Sequence, residues 1–213
     1  MYEYVLFDLD GTISDSSEGI TKGAQIALRK MGIEEEDREK LKVFVGPPLS
    51  YSFGTVYGFD EKQCEEAIKC YREYYSQIGL FENRPYDGIK KLLEQLKNSG
   101  KKVAVATSKP EQFTVRILEK FGLSQYFDVI EGAKPEKKRD LKHQVIEDAL
   151  VHLGNPKLSE VVLVGDTRFD AEGAAKVGID CIGVLYGFGK REELVAAGAT
   201  YIVEKVEDII KFI

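Results

Sequence analysis

The chain has 213 residues, of which 43% are hydrophobic and 31% charged, and its net charge at neutral pH is −6. That length allows one large domain or two small ones around a sizeable core, and the composition is that of an ordinary globular protein. The acidic balance gives no electrostatic footprint for nucleic acid and no polybasic membrane patch, and no apolar run approaches the length of a bilayer-spanning helix. Met1 leads into a charged, strand-like segment, so a secretory signal is not expected. Cys64, Cys70 and Cys181 lack zinc-like spacing and suit free thiols in a reducing cytoplasm.

Tyr4 to Phe7 form a continuous apolar run of strand length, which stops in Asp8-Leu9-Asp10-Gly11-Thr12. From there to about Leu80 the pattern is helical. Ile20, Ala24, Ala27, Leu28 and Met31 repeat at helical spacing up to Gly32, and Asp37 to Val45 reads as a short charged helix. Gly46-Pro47-Pro48 is a rigid break, and Asp60 caps a longer helix with Ile68, Tyr71, Tyr75 and Ile78 on one face. From Pro85 strands alternate with helices. Asp87 is the expected cap of a helix carrying Ile89, Leu92, Leu93 and Leu96. Expected strands are Lys102 to Ala106, Phe127 to Glu131, Val161 to Val164, Cys181 to Leu185 and Tyr201 to Val203, with helices between them. The fold class is therefore α/β, a parallel sheet covered by helices on both faces. Residues 1–15 and 82–213 form the α/β domain, and 16–81 form an all-helical insertion.

Ligands of open parallel sheets bind beyond the carboxyl ends of the strands. Asp8 and Asp10 leave the first strand on one face by parity. Thr107 and Ser108 end the second, and Asp166 ends the fourth, with Asp170 one helical turn further on. A lysine-rich loop, Lys134 to Lys142, precedes the third helix of the series. Each has an alternative explanation: an acidic turn, a helix cap, a solvated loop. Together they suit phosphoryl transfer, with carboxylates for a hard cation such as Mg²⁺, hydroxyls and a lysine for phosphate oxygens, and a carboxylate as nucleophile.

Asp8-Leu9-Asp10-Gly11-Thr12, Thr107-Ser108-Lys109 and Gly165-Asp166-Thr167-Arg168-Phe169-Asp170 resemble the ordered motifs of the haloacid-dehalogenase superfamily. The insertion resembles that superfamily's helical C1 cap. The similarity covers essentially the whole chain and is nearest the phosphoglycolate phosphatase-like branch. It implies that Asp8 is the nucleophile and Asp10 the acid and base. It implies that Mg²⁺ is held by Asp8, the Asp10 carbonyl and Asp166, and that Thr107 and the backbone of Leu9 and Ser108 bind phosphate. Asp170 would orient water or the lysine. The usual Lys-Pro-x-Pro motif is replaced by Lys134-Pro135-Glu136; Lys142, before Val145-Ile146, resembles the lysine of a 5′-nucleotidase-like subgroup and is the expected active-site lysine, with Lys134 and Lys138 as alternatives. Gly46-Pro47-Pro48-Leu49 resembles a cap segment of the same subgroup, and Gly187-Phe188-Gly189 is a weak candidate for the rim. His143 is expected to face solvent and His152 to pack inside. Lys22, Lys42 and Tyr51 are candidate specificity residues of the cap.

The expected activity is Mg²⁺-dependent hydrolysis of a small phosphomonoester in the cytoplasm through an aspartyl-phosphate, by a monomer or homodimer with no nucleic-acid or membrane partner. Nucleotide 5′-dephosphorylation and a β-phosphoglucomutase-like phosphomutase are the alternatives. A non-catalytic binding module is a third class, disfavoured by the intact Asp8, Asp10 and Asp166.

Overall fold

The computed structural model describes residues 1–134, 136 and 139–213, so the alternative lysine Lys138 lies outside the described residues. The chain divides into two compact units, Met1–Ser14 with Pro85–Ile213, and Asp15–Arg84.

The first unit is built on a six-stranded sheet: β1 (Tyr4–Phe7), β2 (Lys102–Pro110), β3 (Val129–Ala133), β4 (Val161–Gly165), β5 (Asp180–Val184) and β6 (Tyr201–Val203). The spatial order is β3-β2-β1-β4-β5-β6, and neighbours run parallel. Tyr4 aligns with Lys102 on one side and Val161 on the other. A strand paired on both edges and covered on both faces has no solvent side, so Val5, Leu6 and Phe7 are wholly buried instead of alternating with polar residues. The strand order reverses between β1 and β4, which makes that junction the switch point of the sheet.

Flanking helices are α3 (Ile89–Asn98), α4 (Glu111–Lys120), α5 (Lys142–His152), α6 (Arg168–Val177) and α7 (Arg191–Ala196). One core cluster joins Val145, Ile146 and Ala149 of α5 and Ala171 and Ala174 of α6 to Leu6, Ala104, Ala106 and Leu163 of the sheet. The small residues on β2 and α6 let α5 sit close to the strands, and this seats its first residue, Lys142, beside the ends of β1 and β2.

Three local expectations are corrected. β3 begins at Val129, not Phe127, because Asp128 serves as an anchor: its carboxylate accepts the Val103 N–H at 2.9 Å and bonds Lys97 and Lys102. β2 continues past Ala106 to Pro110, with a register shift between Thr107 and Pro110. The cap of α3 is Gly88 at φ 89°, a left-handed conformation that Asp87 would adopt only with strain.

The second unit holds two long helices, α1 (Ser17–Lys30) and α2 (Glu61–Tyr75). Asp60 caps α2 reciprocally with Gln63, as its position predicts. Gly23 of α1 lies under the Tyr71 ring; a Cβ there would stand 2.8 Å from Cε2. The expected helix over 37–45 is only a 3₁₀ turn, Lys40–Phe44, followed by the turn Leu49–Tyr51 and a π-helical turn at Ser52–Val56. Phe44, Phe53, Tyr57 and Phe59 make a second aromatic core there, with Phe44 and Phe53 edge to face at 4.7 Å. Among the described residues no helix is long and apolar enough to cross a membrane.

Candidate active site

Asp8 follows β1, Asp166 follows β4, and the two strands are neighbours at the switch point. Both carboxylates are buried, as is Asp170 on the first turn of α6. One carboxylate oxygen from each of Asp8, Asp166 and Asp170 lies within 4.8 Å of the other two. Lys142 enters from α5 with 7% exposure. Its ammonium donates to Asp8 Oδ1 at 2.5 Å and to the Ala106 carbonyl at 3.1 Å, and pairs with Asp170 Oδ1 at 2.8 Å. Its stem runs against Gly173 of α6, where a Cβ would stand 2.6 Å from Lys142 Cγ. The lysine is thus threaded between two helices and aimed at the end of β1.

Each carboxylate is held at a fixed angle. Asp170 Oδ2 accepts the N–H and hydroxyl of Thr167, at 3.0 and 2.9 Å, closing the first turn of α6 and leaving Oδ1 toward Lys142. Asp166 Oδ2 accepts the Phe188 N–H at 2.8 Å, and Thr12 Oγ1 stands 3.4 Å from Oδ1. Tyr186 donates to the Thr12 carbonyl at 2.9 Å. Gly187 and Gly189 close on Asp166 from the loop after β5. A Cβ at Gly187 would lie 2.4 Å from both Asp166 Cβ and the Gly11 carbonyl, and one at Gly189 would lie 1.9 Å from the Asp166 carbonyl. The weak glycine signal in the sequence is therefore part of the site, for reasons of volume: no other residue permits so close an approach.

Burial drives the electrostatics. It pushes Asp8 up to about 6 despite the opposing charge of Lys142. It raises Asp166 well above its ordinary value, an effect reinforced by Asp170 and Asp8. Burial alone would lower Lys142, but Asp170 and Asp8 outweigh it and hold the ammonium above its ordinary value. Three buried carboxyl groups share one ammonium, and a cation among them would offset the cost of ionising all three. The donors are all hard oxygens, so the cluster is able to hold a metal ion of the Mg²⁺ type.

The expected residues do not all meet. Thr107 is buried near the end of β2, but the carboxyl group of Asp10 is not one of the three that group together. Its Oδ2 accepts from Lys109 Nζ at 2.7 Å, a partner that sequence reasoning quoted in a motif without giving it a role. Lys134 is committed elsewhere: its ammonium bonds the buried Glu131 and lies 3.3 Å from Glu111. His152 is not a packing residue. It is 55% exposed and bonds Glu131 Oε2 through Nδ1 at 2.7 Å, while His143 is half-buried instead of facing solvent.

A family model described as haloacid dehalogenase-like hydrolase matches residues 5–184. A 5′-nucleotidase of Pseudomonas aeruginosa is 42% identical over 94% of this chain and 90% of its own length. A protein of Mycobacterium tuberculosis named tyrosine-protein kinase PtkA is 38% identical over 94% of this chain and 68% of its own. Among solved structures, that of a predicted phosphatase from Clostridium acetobutylicum superimposes with a TM-score of 0.97 and 48% identity, covering 100% of this chain and 98% of that one. The chain belongs to the haloacid dehalogenase-like hydrolase family, and within it to the phosphatases, which hydrolyse phosphoric monoesters.

Proposed function

We propose that the protein is a Mg²⁺-dependent phosphatase of small cytoplasmic phosphomonoesters that works through an aspartyl-phosphate on Asp8, with the unit Asp15–Arg84 as its cap. The carrying observation is the buried Asp8 carboxylate, bonded by Lys142 on Oδ1 and grouped with Asp166 and Asp170. Lys142 fixes the Asp8 rotamer and supplies positive charge where phosphate oxygens gather. Oδ2 of Asp8 attacks phosphorus, and the P–O bond to the leaving alcohol breaks as Asp10 gives that oxygen a proton. Asp10 then takes a proton from water as the water attacks the phosphorus, breaking the bond to Asp8 and releasing phosphate. Thr107 and the backbone N–H groups of Leu9 and Ser108 receive the other phosphate oxygens. Asp8, Asp166 and the Asp10 carbonyl, with Asp170 beside them, would hold Mg²⁺, which would supply charge to neutralise the phosphate.

The identity with a 5′-nucleotidase supports nucleoside 5′-monophosphates as the first substrates to try, ahead of phosphoglycolate. A second reading comes from the mycobacterial relative's name: the phosphoryl group would pass to a tyrosine hydroxyl in place of water. The test is phosphate release from nucleoside monophosphates, phosphoglycolate and sugar phosphates, with Mg²⁺ or chelator, for wild type and Asp8→Asn. Mg²⁺-dependent release from one class, absent in Asp8→Asn, is expected. Turnover retained by Asp8→Asn overturns the nucleophile assignment. Phosphate transfer from ATP to a tyrosine peptide, without release from the panel, favours the second reading.

A further inference from the structure

Lys109 and Asp10 form a buried ion pair at 2.7 Å, their side chains 5% and 8% exposed. Desolvating two charges costs free energy that their mutual attraction does not reliably return, so such a pair is weak evidence of a stabilising device. It also lies where chemistry is expected. The backbone that carries Lys109 is built to present it. β2 shifts register between Thr107 and Pro110, and such irregularities re-aim side chains at strand ends. The Lys109 N–H lies 3.3 Å from Thr107 Oγ1, and Thr114 Oγ1 donates to the Pro110 carbonyl at 3.3 Å. Gly132 of β3 makes room for this path, since a Cβ there would stand 2.7 Å from the Lys109 carbonyl and 2.4 Å from Glu111 Cα. Lys109 occupies Oδ2 of Asp10, while Oδ1 is buried without a partner among the described residues.

We propose that Lys109 is the positioning residue of the acid–base step: by holding Asp10 through Oδ2 it leaves Oδ1 as the atom that gives and takes the proton. The inference rests on the phosphatase reading above and adds a residue to it. A carboxyl group turned by one fixed oxygen has its other oxygen aimed, which is what proton transfer to a leaving alcohol requires. When Oδ1 gives up its proton, the ester oxygen receives it and leaves as the alcohol, and the carboxylate left behind is already paired with an ammonium. Lys109 has no role in forming the bond between Asp8 and phosphorus.

This division makes the dependence on leaving group the readout. kcat/KM reports steps only through departure of the alcohol, so later hydrolysis of the aspartyl-phosphate does not enter it. Adenosine 5′-monophosphate loses a poor leaving group that needs a proton; p-nitrophenyl phosphate loses one that does not. In Lys109→Met, kcat/KM for the nucleotide is expected to fall by about 100-fold, within the range of general acid catalysis, and that for the aryl ester by only about threefold. Lys109→Arg, which keeps a buried cation and donor, should recover most of the nucleotide activity. Thermal unfolding of both variants identifies any loss that comes from misfolding, and Lys109→Gln, which retains a neutral donor, serves if Lys109→Met does not fold. Equal losses on the two esters, no loss, a gain in turnover, or an arginine variant as poor as methionine overturns the proposal. Wild-type inactivity on both esters, or full activity of Asp8→Asn, counts instead against the phosphatase reading.

Discussion

The two units differ in their buried charge, although both carry exposed ion pairs, such as Arg191 with Glu204 in the α/β unit. In the α/β unit Asp8, Asp10, Lys109, Lys142, Asp166 and Asp170 are all buried and bonded to one another or to fixed backbone groups. In the helical unit the ion pairs lie toward solvent: Lys30 with Glu73, Lys42 with Glu39, and Lys22 with Glu18 and Glu82. Exposed pairs are screened and contribute little, whereas breaking a buried one strands a charge. The difference separates a scaffold organised for chemistry from one stabilised by its aromatic core and its α1–α2 packing.

Substitutions should fall on the two sides of that divide. Lys142→Ala removes the cation between Asp8 and Asp170 and is expected to lower kcat by about 10²–10³-fold, the scale of a lost electrostatic donor. Lys134→Ala should cost less than about threefold, because Lys134 serves Glu131 and Glu111 outside the acidic cluster. Steady-state kinetics decide it, and the reverse ranking would remove Lys142 from its role. Next in size is Gly187→Ala, whose Cβ is driven into Asp166 and the Gly11 carbonyl. A destabilisation of about 1–3 kcal/mol by denaturant titration is expected, together with weaker Mg²⁺ activation. An alanine variant with unchanged stability and metal response would show that the loop yields easily.

A smaller effect is a shift in melting temperature with metal. Burial raises Asp8 from the ordinary carboxylate value of 3.8 to about 6, and raises Asp166 in the same direction. The folded site therefore binds protons that the unfolded chain has already released. Its contribution to stability is present at low pH and falls as pH rises from about 4 through 6. Mg²⁺ competes with those protons, so it should raise the melting temperature more at pH 7.5 than at pH 5. An equal shift at both values would place the metal away from Asp8 and Asp166. At the bottom of the scale, Lys30→Ala in the helical unit breaks only an exposed pair and should leave the melting temperature and turnover unchanged. A clear drop would mean that the helical unit depends on surface charge after all.

The sheet and the strand-end aspartates were legible because apolar runs, glycines and caps are local signals. Asp8, Thr107 and Asp166 could be placed at strand ends, and Asp170 one helical turn beyond, from the pattern alone. What remained hidden depends on neighbours distant in the chain. Lys109 reads as part of a helix start in Thr107-Ser108-Lys109-Pro110; its meeting with Asp10 requires the pairing of β1 with β2 and the register shift at the end of β2. The His152 contact with Glu131 likewise depends on α5 lying across the edge strand. Asp128 looked like the interior of a strand because side-chain anchoring to Val103 leaves no mark on local periodicity.

The central position of β1 bears on how the protein is made. Tyr4 is made well before its partners, Lys102 and Val161. Until both have been synthesised, Val5, Leu6 and Phe7 form an apolar strand with at least one unpaired edge, the kind of segment that recruits other chains. Pairings so distant in sequence also slow folding, because a long loop must close before any contact repays it. Translation products that stop short of Val161 lack both the second neighbour of β1 and Asp166. β1 is thus made before both of its neighbours and is secured only when the second has followed, which makes a chaperone of nascent chains a useful additive during expression.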